Sequence, residues 1–399
     1  MKILVIGGGG REHAMAWRLA LEGHQVFGTP GNPGIAEVAQ LVDSSDYLAV
    51  AESVGAELTV VGPETPLADG LVDRFRARGM CIFGPTKEQA QLESSKIYAK
   101  EFMRRVGIPT ARFLRANSFH DATEALCQFS YPVVVKADGL AAGKGVIIAH
   151  DSNEAEAAVQ TLGPHLVIEE FLQGEEVSFI VISDGRNIVA LEATQDHKTI
   201  FDGDTGPNTG GMGAYCDGRI LSSADTQRIM DTIIEPAVRV TGFTGFLYAG
   251  LMMTAGGPKV IEFNVRLGDP EAQPLMHRLA DGFADTLFRA ANGNLLGTSL
   301  AWKSEPSVCV VLAAAGYPGQ PRTGDVITGI GACGAQVFHA GTKRTSRGLE
   351  TSGGRVLGAT ASGADLPSAI RNTYAAVEKI HFEGMHYRRD IAAKGLKRW

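Results

Sequence analysis

Over the first 90 residues, short apolar runs alternate with stretches of helical period. Residues 3–6 form one run, glycines follow, and an amphipathic stretch extends from about residue 13 to 21. Residues 58–61 form another run, closed by Gly62-Pro63, and Ile82-Phe83 precedes Gly84-Pro85. This alternation predicts βα units and a parallel sheet. A helix is expected over residues 94–106, stopped by Gly107-Ile108-Pro109.

The middle of the chain changes character. Residues 132–136 and 146–149 read as strands joined by a glycine loop, and 167–168 and 177–182 as two more. Residues 197–214 are polar and glycine-rich and are expected as one long loop, a length that usually marks function or disorder. Residues 245–253 and 259–263 return to strand, and 270–287 read as largely helical. From about residue 307 the pattern is β-rich, with runs at 308–314, 335–340 and 356–361 and a helix at 366–380, as in a small α+β unit.

Composition narrows the class. The 399 residues suffice for two to four domains at about 150 residues each. Hydrophobic residues at 44% and charged ones at 20% are those of a soluble globular protein. The net charge of −7 argues against a broad nucleic-acid or membrane surface, though not against a local basic pocket. No run approaches the ~18–20 apolar residues of a membrane span, and the first residues lack a signal-peptide pattern. Five scattered cysteines without C-x-x-C spacing argue against zinc or a disulfide framework and for a reducing cytoplasm. Glycine is the outlier: 49 residues, roughly 12% against an average of about 7%.

Gly7-Gly8-Gly9-Gly10 lies between a strand and a helix, where free N–H groups can hold a phosphate. A dinucleotide fingerprint from Gly7 needs a small residue where Glu12 stands, and the strand at 26–29 ends without a carboxylate. Nicotinamide binding is therefore rejected. An anion site for a phosphorylated substrate is preferred over a loop tight only for packing.

Residues 133–146 contain Lys136, Gly139, Gly143, Lys144 and Gly145. The glycine spacing is one residue too short for a Walker loop, Gly145 replaces Ser or Thr, and a strand follows instead of a helix. The segment resembles the glycine lid that kinases close over ATP, with Lys136 and Lys144 supplying charge. Next, Glu169-Glu170-Phe171-Leu172 can be a hinge offering backbone groups to adenine, and a later carboxylate can take ribose hydroxyls. A solvated acidic turn accounts for the same residues.

Residues 259–266 read as a strand, so Glu262, Asn264 and Arg266 share one face. Two oxygen ligands and a guanidinium suit Mg²⁺ bridging ATP phosphates, with Arg266 steadying a transferring phosphoryl. An exposed edge strand with a salt bridge is the plainer alternative.

These pieces occur in the order of the ATP-grasp enzymes. Gly9-Gly10-Arg11-Glu12-His13-Ala14, Val61-Gly62-Pro63-Glu64, Phe83-Gly84-Pro85-Thr86, the run from Lys136 to Gly145, Gln195-Asp196-His197-Lys198, the run from Asp204 to Tyr215 and Thr244-Gly245-Phe246-Leu247-Tyr248-Ala249-Gly250 go further. Together with residues 337–342 and Tyr387-Arg388-Arg389-Asp390-Ile391, they resemble the phosphoribosylamine–glycine ligase family over essentially the whole chain.

The resemblance implies an α/β and α+β multidomain fold. An N-terminal open parallel α/β domain would cover 1–95, an ATP-grasp domain 96–300 with a mobile lid over about 115–182, and a small α+β domain 301–399. It implies that ATP phosphorylates the glycine carboxylate, and that 5-phosphoribosylamine attacks the glycyl phosphate in an early step of purine synthesis. Lys96, Lys136 and Lys144 would hold ATP phosphates, Glu169 to Leu172 would meet adenine, and Glu176 the ribose. Glu262 and Asn264 would hold Mg²⁺ or Mn²⁺. Arg266, Lys144 and Asp204 would act in catalysis. Gly8, Gly9, Asp204, Asn208, Thr209, Gly210, Gly211, Met212, Arg266 and Asp269 would bind substrate, and Asp204 or Asp269 could take the amine's proton. His13, His197 and His339 are expected to orient the backbone. The expected partners are these small molecules, without nucleic acid or membrane, acting on a cytoplasmic monomer or weak homodimer.

The chain departs from the family in a short connection over 159–166, in Thr199 where a basic residue is usual, and in Val265 and Leu267 where Cys and Phe are more frequent. Thr199 puts one phosphate contact in doubt. Another ATP-grasp ligase or carboxylase, or a non-enzymatic nucleotide module, are the competing readings; the 204–215 string argues against the first, and the presence of the metal acid and the lysines against the second.

Overall fold

The computed structural model describes residues 1–140 and 145–399; Gly143 and Lys144 lie outside the described residues. Strands β1 (Lys2–Gly7), β2 (Gln25–Pro30), β3 (Gln40–Leu41), β4 (Leu58–Val61) and β5 (Ile82–Phe83) form a parallel sheet in the order β3-β2-β1-β4-β5. Ile3 and Val5 pack into one apolar cluster and Leu4 and Ile6 into another, so β1 is covered on both faces, as an uninterrupted apolar run requires. The helix Lys96–Val106 starts where the Ser95 hydroxyl accepts the N–H of Tyr98 at 3.1 Å and stops at Gly107, φ 82°.

Strands β6 (Phe113–Ala116), β7 (Val133–Ala137), β8 (Val146–Ala149) and β9 (Leu166–Glu170) form an antiparallel sheet with its own core, backed by the helices Phe119–Leu126 and Ser152–Leu162. This lid sheet closes at Glu170, not near 182. The following β10 (Glu175–Asp184) buries Phe179 and Val181 on one face and Ile180 and Ile182 on the other, which suits the middle of a larger sheet.

That larger sheet has nine strands. Strand β11 (Ile188–Ala190) pairs with β10, and β12 (Thr194–Asp196) follows. The polar stretch expected as one loop is instead a hairpin, β13 (Thr199–Phe201) and β14 (Thr205–Asn208), and then the fully buried β15 (Gly213–Cys216). Alternation does not reveal the hairpin because of its burial-prone residues only Ile200 is covered. Strands β16 (Thr244–Thr254) and β17 (Gly257–Asn264) complete one end, in the order β17-β16-β10-β12-β15.

The path continues through Ser307–Ala313, Arg355–Ser362 and Gln336–His339. The C-terminal strands extend the central sheet: Ser307–Ala313 pairs antiparallel with β15. Residues 270–287 are two helices, Ala272–Arg278 and Phe283–Ala291, parted at Gly282, φ 89°. Among the described residues no helix is long and apolar enough to cross a membrane.

Candidate functional site

A cleft of about 950 Å³ lies where the lid sheet, the central sheet and the C-terminal strands face one another. Period 2 puts Glu262 and Asn264 of β17 toward the cleft, and Arg266 lies two residues beyond the strand's end. Glu262, Asn264 and Arg266 all line the cleft, and Arg266 Nη2 donates to Asn264 Oδ1 at 3.1 Å. The Glu262 carboxylate makes no hydrogen bond or ion pair among the described residues, and its backbone pairs with β16 opposite Gly250. Burial opposes its charge, but Lys198, Lys136, Lys96 and Arg266 outweigh burial and hold its carboxyl below the usual range. Burial likewise opposes the charge of Arg266, and Glu93 and Glu64 overcome it and push its pKa up.

Glu262 and Asn264 thus offer two hard oxygen donors to the cleft. Among the described residues no group of three or more His, Cys, Asp or Glu could hold a metal alone. A divalent cation at this edge would need further oxygens, which suits one shared with phosphates.

Lys136, the last residue but one of β7, holds its ammonium 3.1 Å from Glu169 Oε2 and 3.1 Å from the carbonyl of Ile261. Lys100 reaches the same carboxylate oxygen at 3.0 Å, and burial lowers its pKa to about 8. Glu169 therefore turns its carboxylate to two lysines rather than outward. Lys96 donates to the carbonyl of Gly139 at 2.7 Å, and Asp138 accepts from Ser95 Oγ and from the N–H of Ile97, each at 3.1 Å. The start of the glycine loop is thereby docked on the 96–106 helix. Leu172, Val134, Ile148 and Met252 give the cleft an apolar wall, and Met252 is the register partner of Glu176. Glu176 Oε2 lies 2.8 Å from Lys198 Nζ, which lowers the carboxyl's pKa.

The cleft continues past Asp204, Asn208, Thr209 and Gly210 to Asp269. Gly211 and Met212 are buried behind this wall. A Cβ on Gly211 would lie 2.4 Å from Pro270, and Met212 packs against Ile200 and Ala313. Asp269 is held by Arg355 Nη2 at 3.2 Å and by Gln273 Nε2 at 2.9 Å. Arg11 is the residue through which the N-terminal loop lines the cleft among the described residues. Gly8 passes its carbonyl to Asn32, and the N–H of Gly9 donates to Glu12 Oε2 at 2.6 Å. The anion at this helix end is the chain's own Glu12. A Cβ on Gly7 or Gly62 would come within 2.5 Å or 2.0 Å of that side chain.

His13 and His339 orient each other: His13 Nδ1 accepts the N–H of His339 at 2.8 Å. Burial lowers their pKa values to about 3 and about 4, so both are neutral near pH 7. The backbone N–H of His197 donates to the carbonyl of Gly213, and burial pushes its ring pKa well down.

Sequence reasoning missed Arg355, Lys198, Asp196 and Glu271, all of which line the cleft. Arg355 donates to the carbonyls of Gly210 at 2.5 Å and Asp269 at 2.6 Å, tying two cleft-lining segments together. Its signal was present: a basic residue after Gly353-Gly354 that opens an apolar strand, the mirror of Lys136. Asp196 is half-buried, and desolvation raises its pKa to about 7.

Three profiles of one family match in succession: the phosphoribosylglycinamide synthetase N domain over residues 1–93, its ATP-grasp (A) domain over 94–272 and its C domain over 307–394. The chain belongs to the phosphoribosylglycinamide synthetase family. The expected α/β and α+β multidomain architecture is that of this family.

Among curated relatives, the phosphoribosylamine–glycine ligase of Ralstonia nicotianae is 47% identical over all of both chains, and that of Xanthomonas axonopodis 48% over all of this chain and 99% of its own. The Ralstonia alignment runs to 422 positions against 399 residues here. The crystal structure of the Thermotoga maritima phosphoribosylamine–glycine ligase superposes with a TM-score of 0.88 at 36% identity, covering 98% of this chain and all of that one. A biotin carboxylase from Campylobacter jejuni shares the fold alone, with a TM-score of 0.75 at 15% identity over 99% of this chain and 95% of that one.

Proposed function

We propose that this chain is an ATP-dependent, ADP-forming ligase that joins glycine to 5-phosphoribosylamine in purine biosynthesis. What carries the reading is the continuity of one cleft. Lys136, Lys96 and the face Glu262-Asn264-Arg266 lie in the same space as Asp204 to Gly210, Asp269 and Arg355. A nucleotide and a phosphorylated amine can therefore share it. Membership of the synthetase family and the names of its relatives supply the substrates.

In the first step a glycine carboxylate oxygen attacks the γ-phosphorus of ATP, ADP leaves, and glycyl phosphate forms. In the second, the amine nitrogen of phosphoribosylamine attacks the acyl carbon, phosphate leaves, and the nitrogen loses a proton. Lys96 and Lys136 hold ATP phosphates, with Lys144 of the glycine loop as a third cation. The backbone from Glu169 to Leu172 meets adenine, and Glu176 takes the ribose. Arg266 stabilises the charge spread over the transferring phosphoryl. Glu262 and Asn264 would hold Mg²⁺ or Mn²⁺, which neutralises phosphate charge when bound.

The wall from Asp204 to Gly210, with Asp269, holds phosphoribosylamine. Gly211 and Met212 support that wall from behind, and Gly9 lies beside Asp269. The proton goes to solvent, or to Asp204 or Asp269. Asp204 pairs with Arg388 at 2.9 Å; Asp269 faces Arg355 at 3.2 Å, which outweighs burial, holds its carboxyl below the usual range and weakens it as a base.

The test is ADP release with each co-substrate left out in turn. Full turnover is expected only with glycine and phosphoribosylamine together. Undiminished ADP release without phosphoribosylamine, or with bicarbonate in place of glycine, would move the chain to another ATP-grasp activity.

A further inference from the structure

The hairpin of β13 and β14 cannot hold itself in place. It is two-stranded, its pairing slips at one position, and only Ile200 is well buried. An isolated hairpin of this kind is marginal in water. Yet Asp204 at its turn is held at φ 54°, a left-handed conformation that a non-glycine residue seldom adopts. Asp204 and Asn208, with the Thr209 and Gly210 that follow, line the cleft.

What holds the hairpin comes from the far end of the chain. The side chain of Arg388 is fully buried. Its Nη1 donates to Asp204 Oδ1 and to Thr199 Oγ1, both at 2.9 Å, and to the carbonyl of Thr199 at 3.2 Å. Its Nε and Nη2 grip Asp390 in a two-pronged pair at 2.8 and 2.7 Å, and Asp390 in turn accepts the N–H of Gly203 at 2.9 Å. Beside it, the N–H of Arg389 donates to Asp202 at 2.7 Å. One guanidinium thus ties the first strand of the hairpin to its turn, and its carboxylate partner ties down the backbone of the same turn. A lysine could not make both sets of bonds, because its ammonium lacks the planar fork.

We propose that Arg388, oriented by Asp390, is a positioning residue that sets the 199–208 hairpin and thereby the affinity for the phosphorylated amine substrate. This rests on the reading of the 204–210 wall as the phosphoribosylamine site. Arg388 itself does not line the cleft, so it acts through the hairpin and leaves the nucleotide half alone.

The experiment uses the full chain as Arg388→Lys and, because a buried arginine can be needed for folding, the milder Asp390→Asn. Steady-state kinetics are read for both substrates, with hydrogen exchange of the 199–208 amides. Arg388→Lys is expected to raise KM for phosphoribosylamine about tenfold and leave KM for ATP within about twofold. Asp390→Asn is expected to shift it the same way, about threefold, and both should speed exchange in the hairpin. Faster exchange with both KM values unchanged would overturn the proposal, as would equal rises in both. If wild-type ADP release proves independent of phosphoribosylamine, the underlying reading fails instead, and the exchange data then report on the clamp alone.

Discussion

Arg266 Nη2 lies 2.8 Å from Glu93 Oε1, and the other oxygen of Glu93 accepts the N–H of Val265 at 2.8 Å. One buried carboxylate therefore aims the guanidinium and pins the backbone that carries it. Burial raises the pKa of Glu93, and Arg266 pulls it back. Glu93→Gln keeps the shape but turns a donor toward the guanidinium. A fall in kcat of roughly ten- to a hundredfold is expected, with KM for ATP little changed, because a misplaced group is felt mostly in the transition state. Unchanged kcat in steady-state assays would remove Arg266 from the reacting phosphoryl.

Glu262→Ala removes a carboxylate that no other described side chain pairs. ADP formation is expected to fall by about a hundredfold or more at ordinary Mg²⁺, recovering in part as Mg²⁺ is raised. Wild-type turnover across a Mg²⁺ titration would defeat the metal assignment.

Gly62 and Gly331 make a matched pair. A Cβ on Gly62 would sit 2.0 Å from Glu12 Oε1, whereas one on Gly331 meets nothing within 4 Å. Gly62→Ala is expected to cost ~1–3 kcal/mol through displacement of the buried Glu12 side chain. Gly331→Ala should be neutral within about 0.5 kcal/mol. Thermal melts of the two variants check this; equal shifts would mean Glu12 moves aside freely.

The His13–His339 contact predicts a pH dependence of stability. Folded pKa values of about 3 and about 4 lie below the ordinary histidine value near 6.5, so the unfolded chain binds more protons between them. The contribution is full above about pH 6.5 and is lost as pH falls from there toward about 3. Melting temperature should drop from pH 7 to pH 5. His13→Asn, which keeps an acceptor for the His339 N–H but cannot titrate, should flatten that drop. An identical slope in the variant would place the acid sensitivity elsewhere.

Several elements were legible because their causes are local. Ser95 and Gly107 bound the 96–106 helix by capping chemistry, and β1 and β4 follow from apolar runs. The faces of β7 and β17 follow from the two-residue period, which is why Lys136, Glu262, Asn264 and Arg266 could be placed together before any contact was known. The N-terminal glycines show a cause that is not local. Glu12 fills the space beside Gly7, Gly9 and Gly62, and sequence does not say which side chain a bare backbone makes room for.

Composition, period and capping residues thus determine the sheet types, the order of the units and the two faces that carry Lys136 and the oxygens of Glu262 and Asn264, since each depends on neighbours a few residues away. The extent of the lid, the merging of the C-terminal strands into the central sheet and the hairpin at 199–208 were decided by tertiary structure. So were the roles of Arg355 and Arg388, which meet their partners across 145 and 184 residues. Hydrogen bonds of that span exist only once the domains have packed, and a polar hairpin with one buried side chain carries no periodic trace of the arginine that holds it.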